Sequence, residues 1–336
     1  MRVLHVSNAY PSAEYKAHPT YGIFVKEQID SLRGQGIECR VIYIDARTKG
    51  VLQYLKKIPD IKKEAKGCDL IHCHHTYSGF ATLFFSKPKI PVITSFMSPK
   101  GTEGRGDRLI FLKGLVYDYV WNHSTSLIEK GSPSSEKKYP GKGFYLPNGV
   151  DMQLFREIQR EQSWNVLDIR PRIYLLFCSG RSIERPEKRY DIFRRMEDII
   201  RQKMGSEVEE LLLIGQERFR VPHFFNAASV HVLTSDYEGS PNSVKEALAC
   251  NIPVVSTNVG NVKEMIENVE GCFVSESNDP DELADLVLKA LEYERINGRD
   301  QLRRLGLDMK STADKIIKIY EHTIRRYAQQ DYNLRL

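Results

Sequence analysis

The chain has 336 residues, 41% hydrophobic and 28% charged, with a formal net charge of +5. That size and apolar content suit a soluble globular protein with two cores of ordinary domain size. No run approaches the ~20 apolar residues that cross a bilayer, and Met1-Arg2-Val3-Leu4-His5-Val6 gives way to polar residues too soon for a secretory signal. Transmembrane and secreted classes are therefore set aside, and the expected location is cytoplasmic.

The charge is uneven. Residues 1–150 hold 22 Lys and Arg against 13 Asp and Glu, a net +9, whereas residues 151–336 hold 27 against 31, a net −4. A basic half could face nucleic acid, an anionic membrane surface or a phosphorylated acceptor, but no aromatic-basic RNA motif or recognition helix accompanies it, so no nucleic-acid partner is expected. Six cysteines, 39, 68, 73, 178, 250 and 272, form no CxxC pair and read as reduced and mostly structural.

Taken in chain order, short β-branched runs alternate with segments of helical period, the pattern of parallel strands joined by crossover helices. Strands are expected at Val3 to Ser7, Cys39 to Ile44, Leu70 to Cys73, Val92 to Ser95, Ser124 to Ile128 and Gly143 to Leu146, with helices such as Phe24 to Arg33 and Leu109 to Trp121 between them. Within this series, Lys49 to Ile58 sets Val51, Leu52, Leu55 and Ile58 against lysines, and Pro59 should cut it short. It reads as either an amphipathic surface helix or a patch lying on an anionic membrane. Pro147-Asn148-Gly149-Val150-Asp151 has turn chemistry and opens a polar stretch to about Arg170.

A second series follows at Ile173 to Cys178, Leu211 to Ile214, Val230 to Leu233, Val254 to Ser256 and Cys272 to Val274. The expected fold class is thus α/β, with two doubly wound Rossmann-like domains. They would span residues 1–150 and 171–310, joined by a linker at 151–170. A final helix within 311–336 carries Ala313, Ile316, Ile317, Tyr320, Ile324 and Tyr327 on one stripe and should pack back on one domain or across both.

In such sheets ligands meet the loops leaving the carboxyl ends of strands. After Val230 to Thr234, Glu238-Gly239-Ser240-Pro241 leads into the helical segment Asn242 to Ala249. Ser240 suits the N-cap, Pro241 the first helical position, and the free N–H groups make an anion site. Gly239 permits close approach, and Asn242 and Ser243 add donors. Glu238 and Glu246 flank this site. A carboxylate beside a diphosphate makes sense if it binds sugar hydroxyls.

The stretch EGSPNSVKEALACNIPVVSTNVG, with Glu238 and Glu246 separated by seven residues, resembles the paired-glutamate motif of glycosyltransferase family 4, retaining enzymes of the GT-B fold. Similar segments are Asp69 to His74, Leu146 to Asp151, Gly180-Arg181 with Lys188, and Asn226 to Val230. The resemblance implies a cleft between the two domains, Glu238 at the transferred sugar in the catalytic role, Glu246 on the ribose, and Arg181 and Lys188 on the diphosphate. It also implies no metal or other cofactor, a nucleoside-diphosphate sugar as co-substrate, most often a UDP-sugar, and a carbohydrate or lipid-linked acceptor. The first loop, which in the family carries a Gly-Gly pair, here reads Thr20-Tyr21-Gly22, placing Gly22 near the donor and Tyr21 on the acceptor side.

His72, His74 and His75 invite a metal reading, and alternation points His72 and His74 the same way, but no carboxylate or cysteine at ligand spacing completes a site. The resemblance makes His74 and His75 acceptor contacts instead. Two features depart from the family. Met97 stands where a histidine is usual, so that either the donor sugar is held differently or Lys100 and backbone groups substitute, and the segment between Leu213 and Phe225 lacks the usual extra helix and strand that hold the base. These departures keep a non-catalytic nucleotide-sugar-binding protein as the alternative to an enzyme of surface polysaccharide or glycolipid assembly. The basic first half adds peripheral contact with the inner face of a membrane. A nicotinamide-dependent oxidoreductase is disfavoured, since no GxGxxG follows a strand.

Overall fold

A computed structural model describes every residue except 12–20, 98–109, 132–135, 137–139, 181 and 336. The described residues fall into two compact units, one taking those numbered 1–148 and 310–335, the other those numbered 149–309.

The first unit holds a six-stranded parallel sheet built from β1 (Arg2–Ser7), β2 (Glu38–Tyr43), β3 (Leu70–His74), β4 (Val92–Phe96), β5 (Ser126–Glu129) and β6 (Gly143–Tyr145), in the order β2-β1-β3-β4-β5-β6. Val3 stands opposite both Cys39 and Leu70. Helices cover both faces, so β3 and β4 are buried along their whole length, which is why they read as apolar runs without alternation. Val3, Leu70, Ile93 and Ile128 face the helix Ile23–Gly34 and the long helix Met309–Arg335, while Leu4, Val6, Ile71 and Cys73 face the layer made by residues 46–65 and 76–86. The basic segment is broken into the short helices Ala46–Lys49 and Gln53–Lys56 and the helix Ile58–Ala65. Pro59 opens this last helix in its first turn, where its missing N–H is not needed, rather than closing one.

The second unit repeats the plan with β7 (Ile173–Gly180), β8 (Val208–Ile214), β9 (Val230–Leu233), β10 (Val254–Thr257) and β11 (Phe273–Ser275), all parallel, in the order β11-β10-β9-β7-β8. Counted from its own first strand, the first sheet runs 2-1-3-4-5-6 and the second 2-1-3-4-5. This is the flavodoxin-like winding, not the 3-2-1-4-5-6 order of dinucleotide-binding domains. The winding therefore reverses between β1 and β3 in one unit and between β7 and β9 in the other. Loops leaving those strand pairs diverge, and each pair marks the place in its unit where a ligand is best received.

Residues 151–170, read as a linker, are built into the second unit. Phe155 is fully buried in its core, Trp164 of the helix Arg160–Leu167 donates its indole N–H to the Ala227 carbonyl, and Val150 bridges to Asp308. The polar composition misled because two aromatic anchors hold the segment. Met309–Arg335 lies on the first unit, burying Ala313, Ile316, Ile319, Tyr320 and Thr323; Ile317 and Ile324 of the expected stripe are only partly covered. All six cysteines are free. Among the described residues no helix is long and apolar enough to cross a membrane.

Candidate functional site

The second unit's reversal point gathers the loops after β7 and β9. Asp236 N–H donates to the Glu187 carbonyl (2.9 Å), and the Thr234 hydroxyl to those of Lys188 (2.9 Å) and Arg189 (3.0 Å). This stitching brings Lys188, at the end of a short 3-10 turn, onto Glu238. The two form an ion pair with both side chains largely buried, and the Ser235 hydroxyl donates to the same Glu238 oxygen (2.9 Å).

Gly239 is held just as firmly. Its carbonyl accepts from Asn261 N–H (3.1 Å) and lies against Gly260, whose φ is +57°; a Cβ on Gly260 would sit 2.2 Å from that oxygen. Gly260→Ala should consequently push the Glu238–Gly239 turn out of place. The expected loss is about 2 kcal/mol of stability from the combined clash and left-handed strain, or roughly 4–8 °C in Tm for a unit of this size. Affinity for the nucleotide that the resemblance implies here should fall by about tenfold or more, as a small misplacement at a binding loop does. A melting curve with and without nucleotide checks both, and an unchanged pair would remove Gly260 from the site.

The helix after this turn, Asn242–Ala249, has Pro241 at its N-cap position with no side-chain cap. Ser240 therefore stands one residue further out than expected. Its hydroxyl accepts from Nζ of Lys245 at 3.1 Å. Lys245 is fully buried; burial pushes its ammonium down to about 7, against the raising influence of Glu246. Ser243 is not a free donor either. Buried His231, whose pKa burial lowers to about 4, donates from Nδ1 to the Leu176 carbonyl (3.1 Å), so its Nε2 accepts the Ser243 hydroxyl proton (3.0 Å). The helix is thus pinned to β7 through a neutral imidazole. Its first N–H groups remain the anion donors.

Glu246 lies on the inward side of the helix, buried, with Oε1 2.6 Å from Nη1 of Arg218, and the Arg218 guanidinium rests over the Phe155 ring at 4.6 Å. Glu238 and Glu246 thus flank one helix start, each with its own cation. Two bare carboxylates would repel a diphosphate; two neutralised ones leave the helix N–H groups as the dominant positive field.

Arg218, Ser235, Lys245 and Gly260 were not singled out in the sequence. Lys245 carries a signal there, since it falls three and four residues before the buried Leu248 and Ala249, on the flank of the apolar stripe. Arg218 carries none, lying in the short turn between β8 and the helix Val221–Ala227. Arg181 and Lys100 lie outside the described residues.

In the first unit, the loops after β1 and β3 hold the other expected residues. Gly22 precedes the helix Ile23–Gly34 with φ 74°, and a Cβ there would meet the Ala9 carbonyl carbon at 2.2 Å, so its immediate need is the packing of its own loop. Tyr21 lies under the Arg47 guanidinium at 4.8 Å. His75 adopts φ 74° at the start of the helix Thr76–Phe80 and is partly exposed. His74 is fully buried, hydrogen-bonded to His5 at 3.1 Å and stacked on His72 at 4.3 Å, which removes it from any surface contact. His5, His72 and His74 bring ring nitrogens within 4.8 Å of one another, the grouping among the described residues that could hold a metal. Both nitrogens of His72 are already taken, by the Tyr320 hydroxyl (2.7 Å) and Ser95 Oγ (2.8 Å). Burial holds all three imidazoles well below their usual pKa, His5 at about 3. Met97 packs against the core on this side of the sheet.

Residues 197–306 match the family described as Glycosyl transferases group 1. The chain is 23% identical over 282 residues, 75% of its length and 72% of the relative's, to an uncharacterized glycosyltransferase of Methanocaldococcus jannaschii. The fold is the GT-B fold, and these matches support a glycosyltransferase. Together with the glutamate pair, these matches support assignment to family 4. The fold of this chain matches sucrose-phosphate synthase of Thermosynechococcus elongatus at a TM-score of 0.68 and 16% identity, covering 96% of this chain and 98% of that one. It matches Anabaena HepE, solved with UDP and glucose, at a TM-score of 0.66 and 14% identity over 95% and 98%.

Proposed function

We propose that this glycosyltransferase moves a sugar from a nucleoside-diphosphate sugar, with UDP as the nucleotide, to an acceptor hydroxyl with retention of configuration and without a metal ion. The observation that carries the reading is the pair of neutralised carboxylates about one helix N-terminus. Glu246, braced by Arg218, has the position and charge to accept from ribose hydroxyls. Lys188, Arg181 and the first N–H groups of Asn242–Ala249 receive the diphosphate, and Glu238 faces the sugar. The presence of UDP with a structural relative of the same fold supports that nucleotide.

In the step itself, the bond from the anomeric carbon to the phosphate oxygen breaks and the bond to the acceptor oxygen forms on the same face. The acceptor proton passes to the departing phosphate oxygen, so no protein nucleophile is required. Cations and helix N–H groups stabilise the charge that grows on that phosphate. Donor binding belongs to the second unit. The acceptor, a carbohydrate or lipid-linked sugar of surface polysaccharide or glycolipid assembly, belongs to the first, where Tyr21, Gly22 and His75 line the loops after β1 and β3. The setting is the cytoplasmic face of a membrane.

Purified protein incubated with a panel of nucleotide sugars should release UDP from one of them. Chelation by EDTA should change that rate by less than about twofold, since Lys188 and the helix supply the charge a divalent ion would otherwise bring. Loss of activity in EDTA with recovery on adding magnesium or manganese would overturn the metal-free reading. A donor that raises Tm but is neither hydrolysed nor transferred would make the protein a nucleotide-sugar binder instead.

A further inference from the structure

Twelve large hydrophobic side chains are exposed among the described residues, and seven of them, Val51, Leu52, Leu55, Tyr77, Phe84, Phe85 and Leu115, come from one helical layer of the first unit. Chance exposure scatters such residues singly. Here they are joined. The π-helix Ala81–Ser86 packs beside the helices Gln53–Lys56 and Ile58–Ala65. Phe84 lies 5.0 Å from Phe85 and 5.4 Å from Tyr119 between ring centres, and Leu115 stands one helical turn before Tyr119 on the same helix face. Val51 and Leu52 are 75% and 63% exposed, values that a folded surface seldom gives two adjacent aliphatic residues.

The same layer is strongly basic. Residues 46–90 hold nine Lys and Arg against three Asp and Glu. Of those acids, Asp60 pairs with Lys57 and Glu64 with Arg40, leaving the other lysines as the dominant charge. Between the helix Ile58–Ala65 and the turn into β4 lies a cavity of about 390 Å³. It is floored by Ile61, Ala65 and Ile90, and Lys62, Lys66, Lys87 and Lys89 stand among its lining residues. The Ser86 hydroxyl also lines it, buried and with no hydrogen-bond partner among the described residues. Apolar floor, cationic lining and an unsatisfied donor fit an amphipathic anion, with its headgroup at the lysines and its first methylenes inside.

We infer that this outer face of the first unit docks on an anionic bilayer, with Val51, Leu52, Leu55, Phe84 and Phe85 entering the interface and the lysine-lined cavity taking one anionic phospholipid headgroup. The inference rests on the membrane setting proposed above and gives it a surface and a lipid class. Both terms of membrane binding are present, an inserted apolar set and a basic set that adds an increment per lysine near a negative surface.

The test is sedimentation of the full chain with vesicles of phosphatidylcholine alone or mixed equally with phosphatidylglycerol. The protein should sediment with the mixed vesicles and not with phosphatidylcholine, and raising salt should weaken binding. Lys62→Glu with Lys66→Glu should reduce the partition coefficient by at least about tenfold, and Leu52→Ser with Leu55→Ser by about tenfold. Both pairs should leave the UDP dissociation constant unchanged, because every altered residue lies outside the nucleotide site. Equal binding to both vesicles, or no effect of either pair, would overturn the inference. If inorganic phosphate at millimolar concentration displaced the protein from vesicles where salt of equal ionic strength did not, the cavity would be a free-phosphate site and the bilayer assignment would fall. UDP affinity is read on the same samples, so failure of vesicle binding and failure of the donor site are separate outcomes.

Discussion

Glu246→Ala should raise the dissociation constant of UDP by one to two orders of magnitude while kcat at saturating donor changes by about threefold or less. The carboxylate is buried, and its hydrogen bonds to ribose hydroxyls would be charge-assisted, worth about 1.5–3 kcal/mol; each factor of ten corresponds to about 1.4 kcal/mol. Arg218, 2.6 Å away, would lose its anion while still resting on the Phe155 ring. Loss of the carboxylate beside a partly buried guanidinium is a further penalty on the folded state, though that cation would also draw the diphosphate inward, which keeps the expected loss from being larger. Glu246→Gln preserves the hydrogen-bonding shape and should fall between wild type and alanine. Calorimetry with UDP measures all three proteins, and an unchanged constant for Glu246→Ala would detach the nucleotide from this helix.

Glu238→Gln should act in the opposite sense. We expect kcat to fall roughly 10²–10³-fold, the size seen when one preorganised transition-state contact is removed. UDP binding should tighten by a small factor. The reason is Lys188, which Glu238 engages together with Ser235. With a neutral side chain at 238, the ammonium is released toward the diphosphate, so the ground state gains what the transition state loses. Single-turnover kinetics with enzyme in excess over donor, beside the measured UDP dissociation constant, separates the two effects. A variant that weakens UDP binding and keeps its turnover would exchange the roles assigned to the two glutamates.

Most of the fold was legible because a parallel sheet covered on both faces needs unbroken apolar runs, and β3, β4, β7 and β9 supply them. The helix start at 242 was legible for a similar reason, since glycine and proline punctuate it. What could not be read was partnership across the chain. Arg218 and Glu246 are 28 residues apart, and Lys188 and Glu238 are 50 apart. Pairs of that kind are set by how loops meet at the winding reversal, and no local periodicity reports them. His74 misled in a different way: strand alternation placed it beside His72 correctly, but nothing in the sequence told that the long last helix, through Tyr320, would roof that face. Residues 151–170 misled by composition, because one buried aromatic residue, Phe155, and one partly buried, Trp164, outweighed many polar neighbours.

The position of that last helix has a consequence for how the chain matures during synthesis. Residues 310–335 belong to the first unit, yet they are translated after all of the second. Val3, Leu70, Ile93 and Ile128 lie in the core they help close. While the ribosome is making β7 to β11 the N-terminal sheet has one apolar face without this cover, and once residue 309 is made the second unit has every strand and helix it needs while the first still lacks its last helix. The order of completion is therefore the reverse of the order of translation, and a nascent chain of this kind is a candidate for chaperone protection over its first 148 residues until the final turns emerge.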